Sequence, residues 1–208
     1  MRTPQSPGHH LEVSFYRRRL PHWQPERAPI FLTWRLFGSL PSGPEVPAGP
    51  PPTTAGQRFL AVDRRMDRAT TGPTWLSNPQ IAQSVVETVV SRADQWGLYD
   101  LYAWVLMSNH VHVLVQPHKP LREVTRAVKN TSARAANLVL GRTGTPFWQD
   151  ESFDHCVRDR DEFDRIAWYI EHNPVSAGLV ERAELWPWSS AFGREAGPRP
   201  AMPDILGW

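Results

Sequence analysis

Four runs of the chain have strand character, and the segments between them repeat apolar positions at helical spacing. Ile30–Phe37 is a continuous β-branched, aromatic and aliphatic run, stopped by Gly38 and Pro41. Leu101–Met107 and Val113–Gln116 flank Ser108-Asn109, which predicts a β-hairpin whose second strand starts at His110. A fourth strand is predicted over Ser152–Val157. Phe59, Val62, Asp63 and Met66 fit a short helix with Arg64, Arg65 and Arg68 outward. Ser77-Asn78-Pro79 caps a second helix with the stripe Ile81, Val85, Val89, and Gly97 closes it. Val124, Val128, Thr131, Ala135 and Leu138 give the stripe of a third helix from about Leu121 to Leu140. A fourth, capped by Asp159 or Asp161 and ending at Asn173-Pro174, has the stripe Phe163, Ile166, Ala167, Ile170, with Tyr169 off it.

That order fits an α+β fold: a split βαβ sheet of four mostly antiparallel strands with helices on one face. Residues 1–29 and the Pro-rich C-terminal tail, 192–208, are expected as extensions to one domain spanning 30–191. The Pro/Gly/Thr-rich stretch 41–57 is a solvated loop within it.

The chemistry sits on the second hairpin strand and the last helix. Strand side chains alternate faces, so His110 and His112 project together, while Val111, Val113 and Val115 point into a core. Two imidazoles so placed can share a metal ion. On the last helix Tyr169 and Asn173 are i,i+4 neighbours and reach a common point beyond the helix surface. If that point is the ion, Tyr169 is a nucleophile and Asn173 a third ligand through its side-chain oxygen. A phenol with a pKa near 10 needs help to ionise, and a cation polarising a phosphodiester supplies it. Two imidazoles and an oxygen donor leave open positions, which suits Mg²⁺ or Mn²⁺.

Composition changes the picture little. Lys and Arg number 23 against 21 Asp and Glu, a formal net charge of +2, compatible with nucleic acid without identifying it. Arg122, Arg126, Lys129 and Arg134 share one face of the third helix, a candidate DNA-backbone ridge. The single Cys156 excludes an intramolecular disulfide and a Cys-rich zinc module. With neither an apolar leader nor a membrane-length apolar run, the expectation is a cytoplasmic protein.

Asn109-His110-Val111-His112 after a hydrophobic strand resembles the His-hydrophobe-His motif of single-tyrosine transposases. Pro146–His155, Tyr169–Val180 and Trp186-Pro187-Trp188-Ser189-Ser190 resemble one branch of them, the REP-associated tyrosine transposases. The likeness runs from about Ile30 to Ala191. It implies a ferredoxin-like fold, His110 and His112 as metal ligands, and Tyr169 as a nucleophile that becomes linked to a 5′ phosphate. The implied substrate is single-stranded DNA beside a hairpin or palindromic repeat, handled by a monomer or homodimer. Insertion-sequence relatives place Gln four residues after the Tyr; here it is Asn173, with His172 as a competitor for the third ligand. Two other readings stand beside this one. One is a catalytically silent DNA-hairpin-binding protein of the same fold. The other is an unrelated metal hydrolase pairing the histidines with Asp150 or Glu151.

Overall fold

A computed structural model describes residues 14–17, 21–24, 28–40, 54–68 and 72–194. Most of the expected N-terminal extension, most of the Pro-rich loop and the tail beyond Arg194 lie outside the described residues. The first two strands, β1 (Ser14–Arg17) and β2 (Pro21–Gln24), pair antiparallel in a ribbon within the segment expected as an N-terminal extension.

The main sheet is built from β3 (Ile30–Arg35), β4 (Tyr99–Leu106), β5 (His110–Pro117) and β6 (Phe153–Cys156), in the order β4-β5-β3-β6. Every pairing is antiparallel. Placing β3 between β5 and β6 is what brings its side chains level with the histidines: Thr33 is the register partner of His112, and Arg35 of His110.

Four helices cover this sheet: α1 (Ala55–Asp67), α2 (Pro79–Asp94), α3 (Leu121–Val139) and α4 (Arg160–Ser176). Local signals fix their starts. Thr54 and Gln57 form a reciprocal capping box on α1. Asn78 caps α2 with Pro79 at its first position, and Asp159 caps α4 by accepting from the Glu162 amide.

The antiparallel α+β sheet is as expected, but helices cover both faces, not one. Ile30, Leu32, Trp34, Val111, Val113 and Val115 pack with α2 and α3. Phe31, Ala103, Val105 and Leu114 pack with Phe59 and Leu60 of α1 and Ile166, Tyr169 and Ile170 of α4. The reason is visible in β5, whose residues from His110 to Leu114 are all buried, so neither face can be left to water. The histidines therefore lie under helices and not on an open sheet surface.

Helical phase also differs from the expectation in two places. The buried stripe of α3 runs through Leu121, Val124, Val128, Ser132 and Ala136, leaving Leu138 67% exposed. In α4 Tyr169 belongs to the buried face with Ile166, Ile170 and Asn173.

The C-terminal Trp186–Ser190 motif closes the sheet edge. Leu106 donates its amide to the Trp188 carbonyl at 2.8 Å, and Ser190 donates to Trp104 at 2.9 Å. The Trp186 indole donates to the Leu106 carbonyl, occupying backbone groups that an edge strand would otherwise expose. The strap also reaches α4, since the Ser190 hydroxyl donates to Glu171 at 2.8 Å and Arg194 pairs with the same carboxylate. Among the described residues no helix is long and apolar enough to cross a membrane.

Candidate metal centre and nucleophile

Sheet register puts both imidazoles under α1 and α4. His110 and His112 are fully buried, with their Nε2 atoms 3.1 Å apart. Each ring is held by its other nitrogen. His110 Nδ1 lies 2.6 Å from Asn109 Oδ1, and His112 Nδ1 lies 2.7 Å from Thr33 Oγ1. Asn109 is itself fixed, because its Nδ2 donates to the Met66 carbonyl at 2.9 Å. Its Oδ1 can only accept, so His110 must carry its proton on Nδ1 and present the Nε2 lone pair inward. Burial first, and the neighbouring His112 second, push His110 down to about 3, so it is neutral at ordinary pH.

α1 contributes a carboxylate that the sequence reading did not assign. Asp63 Oδ1 lies 3.2 Å from His112 Nε2 and 3.6 Å from His110 Nε2. Ligand atoms of Asp63, His110 and His112 all fall within 4.8 Å of one another, the only such group among the described residues. Burial would raise Asp63, but the two histidines and the Tyr169 hydroxyl outweigh it and hold the carboxyl well below its ordinary range. Asp67, one turn on, has an oxygen 3.8 Å from His110 Nε2. Its carboxyl is pushed up to about 7, by burial first and by the Asp63 charge second.

α4 supplies the rest. Pro174 sits inside the helix, and the Tyr169–Asn173 turn just before it faces the histidines. The Tyr169 hydroxyl donates to Asp63 Oδ2, and its ring centroid is 5.8 Å from that of His112. Asn173 Nδ2 donates to Asp63 Oδ2 at 3.2 Å and lies 3.4 Å from His112 Nε2. His172, the competing third ligand, is turned away: its ring stacks on Trp168 at 4.0 Å and its Nδ1 bonds the Trp168 carbonyl. Burial, then the Asp63 charge, raise the Tyr169 phenol well above its ordinary value.

These residues fit a divalent cation. Asp63 Oδ1, Asp67 Oδ1 and Asn173 Oδ1 are buried without a hydrogen-bond partner, which is a cost unless something positive satisfies them. Two inward imidazole nitrogens and three orphan oxygens make a mixed N/O donor set of the kind hard and borderline divalent ions accept.

The other expected residues lie elsewhere. Arg122, Arg126 and Arg134 are exposed on α3, across the sheet from this cluster. Lys129 is a structural brace, because its Nζ donates to the Gln149 and Asp150 carbonyls at 2.7 and 2.8 Å. Asp150 and Glu151 are not members of the ligand cluster. At the start of α4, Glu162 is buried and binds the Arg158 amide and guanidinium and His155.

Fold and cluster together define the class: an α+β protein with buried paired histidines and an aspartate beneath a tyrosine helix, all from one chain. Residues 74–173 match the family model described as Transposase IS200 like. His110, His112, Tyr169 and Asn173 fall inside the match, whereas Asp63 precedes it. A solved structure of a REP-associated tyrosine transposase bound to a REP hairpin shares the fold. It is 17% identical with a TM-score of 0.52, covering 91% of this chain and 99% of its own. A proposed transposase from Deinococcus radiodurans R1 is 16% identical, with a TM-score of 0.39, covering 82% and 98%. No curated protein matches the chain.

Proposed function

We propose that this DNA transposase cleaves and rejoins single-stranded DNA next to a hairpin, through a 5′-phosphotyrosine on Tyr169. The observation that carries the reading is the convergence of the Tyr169 hydroxyl with Asp63, His112 and Asn173 in one buried cluster.

His110, His112, Asp63 and the Asn173 oxygen would hold the ion, with Asp67 within reach as a further oxygen donor. Bound there, Mg²⁺ or Mn²⁺ would offset the negative charge of the scissile phosphate and stabilise the departing 3′ oxygen. Tyr169 Oη gives up its proton to solvent and forms a bond to phosphorus as the bond from phosphorus to the 3′ oxygen breaks; the 3′ oxygen leaves with the electron pair and takes up a proton from solvent. The phosphodiester energy is kept in the tyrosyl ester, and attack on it by a 3′ hydroxyl restores the strand and the phenol.

In the geometry described the phenol is a resting nucleophile. Its proton is held by Asp63, and burial together with the Asp63 charge opposes ionisation. Asn109 and Thr33 keep the imidazoles oriented so that the ligand nitrogens need no reorganisation. Glu171 ties α4 to the C-terminal strap, two residues from Tyr169 and two from Asn173, and so steadies the nucleophile's helix. Arg122, Arg126 and Arg134, on the far face, would serve the duplex stem through its phosphates.

The test is a denaturing gel of the full chain with a hairpin-bearing single strand and Mn²⁺ or Mg²⁺. A covalent protein–DNA band is expected, lost in Tyr169→Phe and in chelator. Binding that is indifferent to chelator, with no covalent band on any hairpin substrate, would instead establish a silent hairpin-binding protein.

A further inference from the structure

Beyond the metal cluster, the end of β3 carries a charge that no carboxylate balances among the described residues. Arg35 is the register partner of His110, so the two side chains leave the same face of the sheet with Cβ atoms about 4.5–5.5 Å apart. Thr33, two residues earlier on that face, already touches His112. The Arg35 guanidinium is half-buried, and Nη1 donates to the Ser39 hydroxyl at 3.3 Å. No carboxylate pairs with it among the described residues, although Asp63 and Asp67 stand near the adjoining histidine. A second guanidinium, Arg65 of α1, is close enough that its charge, after burial itself, lowers Arg35 from its ordinary value. A half-buried cation beside another cation is stabilised by an anion between or beside them. Two residues beyond Arg35, Phe37 is 49% exposed, a large aromatic presented to solvent at the same strand end.

This end of β3 is also rigidly held. The Leu36 amide donates to the Asn109 carbonyl and the Phe37 amide to Phe147, both at 2.8 Å. Gly72, at φ +91, packs so closely on the Gly38–Ser39 turn that an added Cβ would sit 2.7 Å from the Gly38 oxygen. A cation and an exposed aromatic on a fixed support, one residue pair from a strand-cleaving centre, have the makings of a single-strand binding track.

We propose that Arg35 holds a backbone phosphate flanking the scissile one, and that Phe37 stacks a base of the same strand. The inference rests on the reading that the chain handles single-stranded DNA, but not on Tyr169 being its nucleophile. Among the described residues no hydrogen bond or ion pair joins Arg35 to the ligand atoms, so it acts on the strand and not on the ion.

The experiment measures the affinity of the full chain for a hairpin-bearing single strand in chelator, by fluorescence anisotropy across a salt series. Loss of one phosphate contact lowers the slope of log affinity against log salt by about 0.7 for a single strand. Arg35→Ala is expected to show that drop and Arg35→Lys to keep the slope. Phe37→Ala is expected to weaken binding roughly tenfold or more at unchanged slope. A neutral methylphosphonate, moved one linkage at a time past the cleavage position, should reproduce the Arg35→Ala loss at one linkage in the wild type. It should add nothing there in Arg35→Ala. Melting temperatures near wild type show that the variants are folded. An unchanged slope in folded Arg35→Ala, or equal losses at every linkage in both proteins, overturns the proposal. If the wild type binds with the expected pattern yet forms no covalent adduct, the catalytic reading fails and this one stands; if it binds no single strand, both fail.

Discussion

The Tyr169 hydroxyl donates a hydrogen bond to Asp63 Oδ2, joining α4 to α1 across 106 positions of chain. That one contact decides how the cluster behaves. It makes Asp63 both a candidate ligand, through Oδ1, and the group that keeps the proposed nucleophile protonated, through Oδ2. Asp63→Ala is therefore expected to lower Mn²⁺ affinity roughly 10–100-fold, the scale seen when the groups around a metal are removed. Tyr169→Phe should leave that affinity within about threefold of the wild type, the usual scatter between sites. Titration calorimetry of the two variants checks this, and equal loss in both would remove Asp63 from the ligand set.

Asn109 offers a second, independent handle. Its Oδ1 sets the His110 tautomer while its Nδ2 anchors α1 at Met66. Asn109→Ala should cost roughly 10–100-fold in Mn²⁺ affinity, because the ring is then free to present Nδ1 or to turn. Affinity equal to wild type in the folded variant would show that the tautomer is fixed by something else.

How much of this was legible beforehand depends on the kind of signal each residue sends. His110 and His112 share a face because strand alternation is strict, and Tyr169 and Asn173 share one because four residues make about a turn. Both pairs are local facts, so the sequence carries them. Asp63 is different. It falls among Phe59, Val62 and Met66 at helical spacing, and an acid on an inward stripe is a real clue, but nothing local says which strand α1 will cover. Nor is the stripe itself a sure guide, since Val62 is 40% exposed. The same gap explains the second helical layer, because periodicity tells which residues are buried and not which side of the sheet buries them. Lys129 illustrates a third limit. A lysine in a row with Arg122 and Arg126 has the same spacing whether it faces phosphate or, as here, two carbonyls of a neighbouring loop.

Asp67 ties the cluster to pH in the metal-free protein. Its carboxyl sits at about 7 in the folded chain against an ordinary value of 3.8, so the folded state binds the extra proton. The contribution of Asp67 to stability in chelator therefore falls as pH rises between those values. Asp67→Asn, which cannot ionise, is expected to melt above the wild type at about pH 8, with the advantage shrinking toward about pH 4. Thermal melts in chelator at the two values settle the point; a constant difference would contradict it.

Glu162 gives the opposite sign at the other end of α4. Burial alone would raise it, but bonds from Arg158 and His155 bring it down to about 2 from an ordinary 4.5. Its contribution is complete above the ordinary value and is lost as pH falls toward the folded one. The stability gap between wild type and Glu162→Gln should accordingly be widest near neutrality and narrow as pH falls through that window. Denaturant melts across the acid range check it, and a gap that widens in acid would refute the assignment.

The most direct test of the whole account is to find the atom that carries the DNA. The full chain is incubated with a hairpin-bearing single strand and Mn²⁺, digested with protease and nuclease, and the nucleotide-bearing peptide is sequenced by mass spectrometry. The expected result is a 5′-phosphate linkage on Tyr169, with a free 3′ hydroxyl on the other fragment. Cleavage that leaves two free ends and no adduct, or an adduct on any other residue, would contradict it.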